Sequence, residues 1–178
     1  MKIQIRGMTM AKSENRMSWL LLTIISLAFL CMTSAQAADG VAVPTSAKQA
    51  YVTDFATGQV LLEKNARTPM KPASMAKIMT IYIAFSRVSE RSVSLNDRFL
   101  VSEKAWKMGG SRSFLDVGSS VTLDELLHGI IIQSGNDAAV ALAEGISGTE
   151  ANFVAEMNIT AQKLGMTNTV FANATGWP

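Results

Sequence analysis

Apolar residues are first concentrated in two short runs and then recur at helical spacing along most of the chain. The runs at 50–54 and 59–63 are separated by Ala56-Thr57-Gly58, which supplies turn residues. This arrangement predicts a β-hairpin. From 74 to about 88, apolar residues occur on nearly all sides of the predicted helix, which is typical of a buried helix. Pro72 stands just before it, where proline favours a helix start.

Two further helix starts carry capping signals. Thr122 is followed three residues later by Glu125, a pattern typical of a capping box, and the helix it opens is predicted to end near Gln133. Asn136 then follows a break in the pattern, and we predict that it caps the next helix. Thr149 is predicted to open a last helix.

The rest of the chain is less regular. The last helix is predicted to close at Gly165, and residues 169–171 are predicted to form a strand. Residues 92–118 are predicted to be irregular. A lone hairpin is not a stable sheet, so we expect further strands beyond Pro178. The predicted fold class is α/β (α+β), a helical block packed on an antiparallel sheet, here cut before the later strands.

The first 37 residues have the parts of a secretory signal peptide. The opening is positively charged, residues 19–32 are almost wholly apolar, and Ala35-Gln36-Ala37 follows. The apolar run is short for a membrane-spanning helix, which needs about 20 residues. We therefore predict a signal peptide at 1–37, cleaved after Ala37, and an exported domain at 38–178. The expected location is the periplasm or the outer face of the cytoplasmic membrane.

Removing the leader changes the charge of the protein. The whole chain has 16 basic and 14 acidic residues, but the part from 38 to 178 has 12 basic and 13 acidic residues. This balance argues against a nucleic-acid partner. The one cysteine, Cys31, leaves with the leader, and His128 is the one histidine. We expect no metal or other cofactor, no disulfide and no cysteine nucleophile.

The first candidate for chemistry is Ser74-Met75-Ala76-Lys77. Helical residues three apart share a face, with Cβ atoms about 5–6 Å apart. A lysine whose pKa is lowered by burial can take the proton of a serine hydroxyl, which is a weak nucleophile until a base acts on it. The helix start favours a developing oxyanion at Ser74. Lys77 is expected to be buried by its apolar neighbours Met75, Ile78, Met79 and Ile81. Alone, the motif is also compatible with a capping serine and an exposed lysine.

The second candidate is Ser134-Gly135-Asn136, in the break between two predicted helices. A hydroxyl and a carboxamide on a tight loop can relay a proton and orient an amide. Alone, the three residues are more typical of an ordinary helix-loop-helix turn.

The two motifs together are specific. A Ser-x-x-Lys sequence that opens an apolar helix, followed 60 residues later by Ser-x-Asn in a helix break, resembles the penicillin-binding-protein and serine β-lactamase superfamily. The segments 71–80, 132–138, 163–166 and 173–178 are similar to the low-molecular-weight D-alanyl-D-alanine carboxypeptidases, and the resemblance covers essentially all of 48–178.

This resemblance implies a β-lactamase/transpeptidase-like fold and a serine-type carboxypeptidase. It implies that Ser74 is acylated, that Lys77 is its base, that Ser134 relays a proton to the leaving amine, and that Asn136 holds the substrate. The implied substrate is the D-Ala-D-Ala end of a peptidoglycan stem peptide, and β-lactams are implied to acylate the same serine.

The sequence departs from the superfamily at one motif. It contains no Lys-Thr-Gly or Lys-Ser-Gly, which in the family binds the substrate carboxylate. We expect that motif beyond Pro178, together with any region responsible for peripheral membrane association. This leaves open whether the 178-residue chain folds and acts by itself.

Two other functions remain open from the sequence. A class A serine β-lactamase would need a deacylating glutamate, and 166–178 contains no acidic residue. Those enzymes also usually carry Asp where Gly135 stands. An inactive exported cell-wall-binding module is permitted by the missing third motif, but such a module has no need of all four candidate residues.

Overall fold

The computed structural model of the protein describes residues 44–178. These divide into a short unit that ends at Thr68 and a larger unit from Pro69 to Pro178. The predicted signal peptide, 1–37, and the first residues of the predicted exported domain, 38–43, lie outside the described residues.

The short unit contains the predicted hairpin. Strand β1 (Ala50–Thr53) pairs in antiparallel fashion with β2 (Val60–Lys64). Asp54 accepts hydrogen bonds from the backbone N–H and the hydroxyl of Thr57, which closes the turn between the strands. The sequence prediction of a hairpin is confirmed.

The larger unit contains most of the regular structure. A 3-10 turn at Ala73–Ala76 leads directly into α1. The remaining elements follow in chain order: α1 (Lys77–Ser89), β3 (Arg98–Leu100), α2 (Glu103–Trp106), β4 (Ser120–Thr122), α3 (Leu123–Gln133), α4 (Asn136–Ser147) and α5 (Glu150–Lys163). Helices combined with antiparallel strand pairs agree with the predicted class.

Two strand predictions are wrong. Residues 169–171 form no strand. Strand β3 lies within the segment expected to be irregular, and β4 follows just after that segment. The two form an antiparallel pair in which Phe99 lies opposite Val121. Each of these strands has three residues, too few for a recognisable alternation of apolar and polar positions.

The helix starts agree with the capping signals except at Asn136. Thr122 and Glu125 form the predicted capping box, and Thr149 accepts from the Asn152 N–H. Asn136 is itself the first residue of α4, and Gly135 occupies the cap position without a side-chain cap bond. The prediction that Asn136 is a cap is wrong because its side chain bonds to a neighbouring loop instead.

Helix α4 lies at the centre of the larger unit. Its first eight residues, from Asn136 to Ala143, are buried, and it packs against α1, α2, α3, α5 and β3. Four of these buried residues are alanines, whose small side chains let the surrounding elements approach closely.

Helix α1 is buried on one face and exposed on the other. Met79 and Ile83 belong to the core, but Ile78, Tyr82 and Phe85 are exposed. The prediction that this helix is buried all round is wrong for the described part of the chain, since no element of the larger unit covers that second face. Among residues 44–178, no helix combines the length and the apolar character needed to cross a membrane.

Candidate active site

The Ser-x-x-Lys motif is an assembled pair. Ser74 lies in the 3-10 turn and is exposed, whereas Lys77 is the first residue of α1 and only 3% exposed. The Lys77 Nζ lies 3.2 Å from the Ser74 Oγ. The chain therefore places a buried amine against a hydroxyl that a ligand can reach from solvent.

Burial lowers the pKa of Lys77 below its ordinary value, because desolvation disfavours the charged ammonium form. Of the apolar neighbours expected to cause this burial, Met75 and Ile78 are exposed, whereas Met79 is buried and Ile81 is half-buried. The C-terminal segment, residues 173–178, also covers the amine, and Lys77 Nζ donates to the Thr175 carbonyl at 2.9 Å. No side-chain pattern marks that partner, because it is a backbone oxygen.

The turn that carries Ser74 is also fixed by the C-terminal segment. Ala73 has a left-handed backbone, with φ of 48°, which is uncommon for a residue other than glycine. Its carbonyl packs so closely on Gly176 that a Cβ added there would overlap it. Gly176 also has a positive φ, of 72°, so both its backbone and its neighbours require glycine.

Ser134 lies at the end of α3 in a left-handed conformation, with φ of 55°. Its backbone N–H donates to the Gly129 carbonyl, which ends the helix. Among the hydrogen bonds of residues 44–178, none joins the Ser134 hydroxyl to Ser74 or Lys77. Non-glycine residues held in this region of backbone space are strained, and such strain is concentrated at functional sites.

Asn136 is 2% exposed and holds a neighbouring loop in place. Its side-chain amide donates to the Gly109 carbonyl at 2.7 Å, and its backbone N–H donates to the Ser111 carbonyl at 2.8 Å. A Cβ added at Gly135 would overlap the Ser113 Oγ. A larger residue between Ser134 and Asn136 would therefore require the Ser113 side chain to move.

Asp137 fixes the same loop and was not singled out from the sequence. Its fully buried carboxylate accepts from the backbone N–H groups of Ser113 at 2.8 Å and Leu115 at 3.2 Å. No sequence pattern distinguishes it, since Asp124 also precedes the apolar run of a helix, α3, and is exposed.

The two motifs meet at the C-terminal segment. Gly110 lies between the Asn136 amide and the Trp177 ring, because a Cβ added at Gly110 would be 2.8 Å from each of them. Trp177 therefore lies close to Asn136. Two residues earlier in the same segment, the Thr175 carbonyl accepts a hydrogen bond from Lys77. Within residues 44–178, no group of three or more His, Cys, Asp or Glu side chains is placed to hold a metal ion.

The comparisons with known proteins agree with this geometry. A sequence profile of the peptidase S11 family, D-alanyl-D-alanine carboxypeptidase, matches residues 33–177. The D-alanyl-D-alanine carboxypeptidase DacF of Bacillus subtilis (strain 168) is 46% identical over 130 residues, which are 73% of this chain and 33% of that protein.

Two solved structures are also similar. The D-alanyl-D-alanine carboxypeptidase DacD of Francisella tularensis has a TM-score of 0.75 at 39% identity, over 78% of this chain and 34% of that one. Penicillin binding protein 5 of Haemophilus influenzae has a TM-score of 0.73 at 36% identity, over 78% and 41%. These likenesses confirm the predicted β-lactamase/transpeptidase-like fold.

The chain thus spans about a third to two fifths of the length of these three relatives. The match nevertheless extends over most of this chain, and it includes both motifs and the segment that joins them. The chain therefore belongs to the peptidase S11 family of D-alanyl-D-alanine carboxypeptidases.

Proposed function

We propose that the protein is a serine-type D-Ala-D-Ala carboxypeptidase and a target of β-lactams. The observation that carries this proposal is the 3.2 Å contact between the Ser74 hydroxyl and the buried Lys77 amine. A lysine of lowered pKa is a base for an adjacent serine, and the family of the chain supports D-Ala-D-Ala as the substrate.

The proposed reaction has two steps. In the first, neutral Lys77 takes the Ser74 proton while Oγ attacks the carbonyl of the last peptide bond. Backbone N–H groups at the helix start stabilise the oxyanion. The C–N bond then breaks as Ser134 delivers a proton to the amine and receives the proton held by Lys77, and D-alanine leaves. In the second step, water gives a proton to Lys77 and attacks the Ser74 ester. The ester C–O bond breaks, Ser74 Oγ takes the proton back, and the shortened peptide leaves as a carboxylic acid.

Asn136 is proposed to hold the peptide of the substrate. One N–H of its amide already serves the Gly109 carbonyl, so a bond to substrate uses its carbonyl oxygen or its second N–H. The role proposed for Ser134 needs no direct bond to the pair before substrate binds, because catalytic hydrogen bonds often tighten only in the complex.

A β-lactam provides the test of this function. The full-length gene product that carries this sequence should form a stable penicilloyl ester at Ser74, located by mass spectrometry of tryptic peptides. Ser74→Ala should abolish the adduct. Lys77→Ala should slow its formation by about 10²- to 10⁴-fold, the usual contribution of a general base.

Two substitutions serve as controls. Ser102 also stands at a helix start, as the cap of α2, and Lys107 is an exposed lysine that pairs with Glu103. Ser102→Ala and Lys107→Ala should acylate at the unchanged rate. An adduct on another serine would contradict the proposal, and rapid penicillin turnover without a lasting adduct would favour a β-lactamase.

We also propose that the protein is exported and acts on peptidoglycan outside the cytoplasmic membrane. The proposal is supported by the signal-peptide pattern of the sequence at 1–37 and by the substrate class of the family. N-terminal sequencing of protein from the periplasmic fraction should give Ala38 as the first residue. Recovery of a chain that begins at Met1 from that fraction would contradict cleavage.

A further inference from the structure

The carbonyl that binds Lys77 belongs to a segment held from two sides. Immediately before it, the Ala174 N–H donates to Glu150 Oε1 at 2.9 Å, and the Ala174 carbonyl accepts from Thr80 Oγ1 at 2.7 Å. Both bonds are buried. The position of the Thr175 carbonyl therefore depends on side chains of two different helices, α1 and α5.

Glu150 is unusual for its position. It is the first residue of α5, where acidic residues ordinarily face solvent and favour the helix dipole, yet it is only 9% exposed. The cap of the helix is made by Thr149, not by Glu150. One Glu150 oxygen accepts from Ala174, and the other pairs with Lys104 Nζ at 2.6 Å.

The bond to Thr175 restricts the orientation of the Lys77 amine. Lysine has a flexible four-carbon stem, and a neutral amine has two N–H groups and one lone pair. When one N–H donates to the Thr175 carbonyl, the lone pair is free to accept the Ser74 proton. A displaced carbonyl would let the amine leave this orientation, although Ser74 and Lys77 would be unchanged.

We propose that Glu150 is a positioning residue for Lys77, acting through the Ala174–Thr175 backbone as a hydrogen-bond acceptor. This inference rests on the proposed function, since it concerns the base of the same reaction. Glu150 does not touch the reacting atoms. Its effect should therefore fall on the acylation step and not on the binding of penicillin.

The test separates acylation from binding in the full-length gene product. Glu150→Ala should lower the rate of acylation at saturating penicillin by about ten- to a hundredfold, as expected for a displaced catalytic group. The dissociation constant of the noncovalent penicillin complex should hardly change. Glu150→Gln keeps an oxygen that accepts from Ala174, and so it should restore the rate.

The control is a second glutamate on α5. Glu156 accepts from Arg87 at 2.8 Å and from Ser147 at 3.2 Å, away from Lys77. Glu156→Ala should lower thermal stability and leave the acylation rate of the folded protein unchanged. If Glu150→Ala fails to fold, Glu150→Met replaces it, because it removes both acceptor oxygens while keeping the length of the side chain.

Each result decides the proposal. It is overturned if folded Glu150→Ala acylates at the normal rate, if Glu150→Gln is as slow as Glu150→Ala, or if Glu156→Ala is equally slow. A normal rate in Glu150→Met, used when Glu150→Ala is unfolded, also overturns it. Failure of the unchanged protein to acylate at Ser74 is a different result, which contradicts the proposed function itself.

Discussion

At the scale of single residues, Lys77 combines burial with a charge that changes with pH. It is 3% exposed, its amine meets Ser74 and the Thr175 carbonyl, and burial lowers its pKa. A lowered pKa leaves a larger fraction of the amine neutral at a given pH, and only the neutral form can accept a proton from Ser74.

The acylation rate should therefore rise with pH as Lys77 loses its proton and should then level off. The midpoint of this rise should lie below 10.5, the ordinary value for lysine. The measurement is the rate of penicillin acylation across a pH series in the full-length protein. Lys77→Arg keeps its charge at every pH, so it should acylate slowly and without this rise. A midpoint at 10.5 or above would disprove the assignment.

At the scale of elements, α4 depends on small side chains along its length. It is buried from Asn136 to Ala143 and contacts helices on several sides. The carboxylate of Asp137 and the amide of Asn136, at its first turn, hold the neighbouring loop. The packing of α4 therefore sets the position of the Ser134-Gly135-Asn136 motif.

Enlarging a buried alanine of α4 should disturb this packing. Ala141 is fully buried, and Ala141→Leu should lower the free energy of unfolding by about 1–3 kcal/mol, the usual cost of overpacking. The measurement is chemical denaturation followed by circular dichroism. Ala155→Leu makes the same change at an exposed position within α5 and should be nearly neutral. Equal effects at the two positions would show that α4 tolerates larger residues.

At the scale of the whole larger unit, the C-terminal segment contacts site residues that lie far from it in the sequence. Lys77 and Thr175 are 98 residues apart, and Thr80 and Ala174 are 94 apart. Gly176 packs on the Ala73 carbonyl at the turn that carries Ser74. Ordering such distant segments costs loop-closure entropy, so their contacts form only with the complete fold of the unit.

Gly176→Ala should therefore lower both stability and the acylation rate, because the added Cβ displaces Ala73. Gly165 has a similar φ, of 77°, but open space around its Cα. Gly165→Ala should cost about 1–2 kcal/mol from backbone strain alone and leave acylation unchanged. Thermal melts and penicillin labelling of both variants provide the comparison. Equal behaviour of the two variants would remove the proposed link between Gly176 and Ser74.

The sequence by itself determined the local features of this protein and its family. The hairpin, the capping box at Thr122 and the shared face of Ser74 and Lys77 follow from turn residues and helical spacing, which act over a few residues. The resemblance to D-alanyl-D-alanine carboxypeptidases, drawn from both motifs and their flanking segments, is confirmed by the family match.

Only the tertiary structure decided how Lys77 is buried, which atoms bind it and what Asn136 does. Of its apolar neighbours, Met79 is buried but Met75 and Ile78 are exposed, and its amine donates to the Thr175 backbone carbonyl. Asn136 serves the Gly109 carbonyl instead of capping its helix. These outcomes depend on contacts between residues far apart in sequence, and a backbone carbonyl has no side-chain identity that a sequence pattern could reveal.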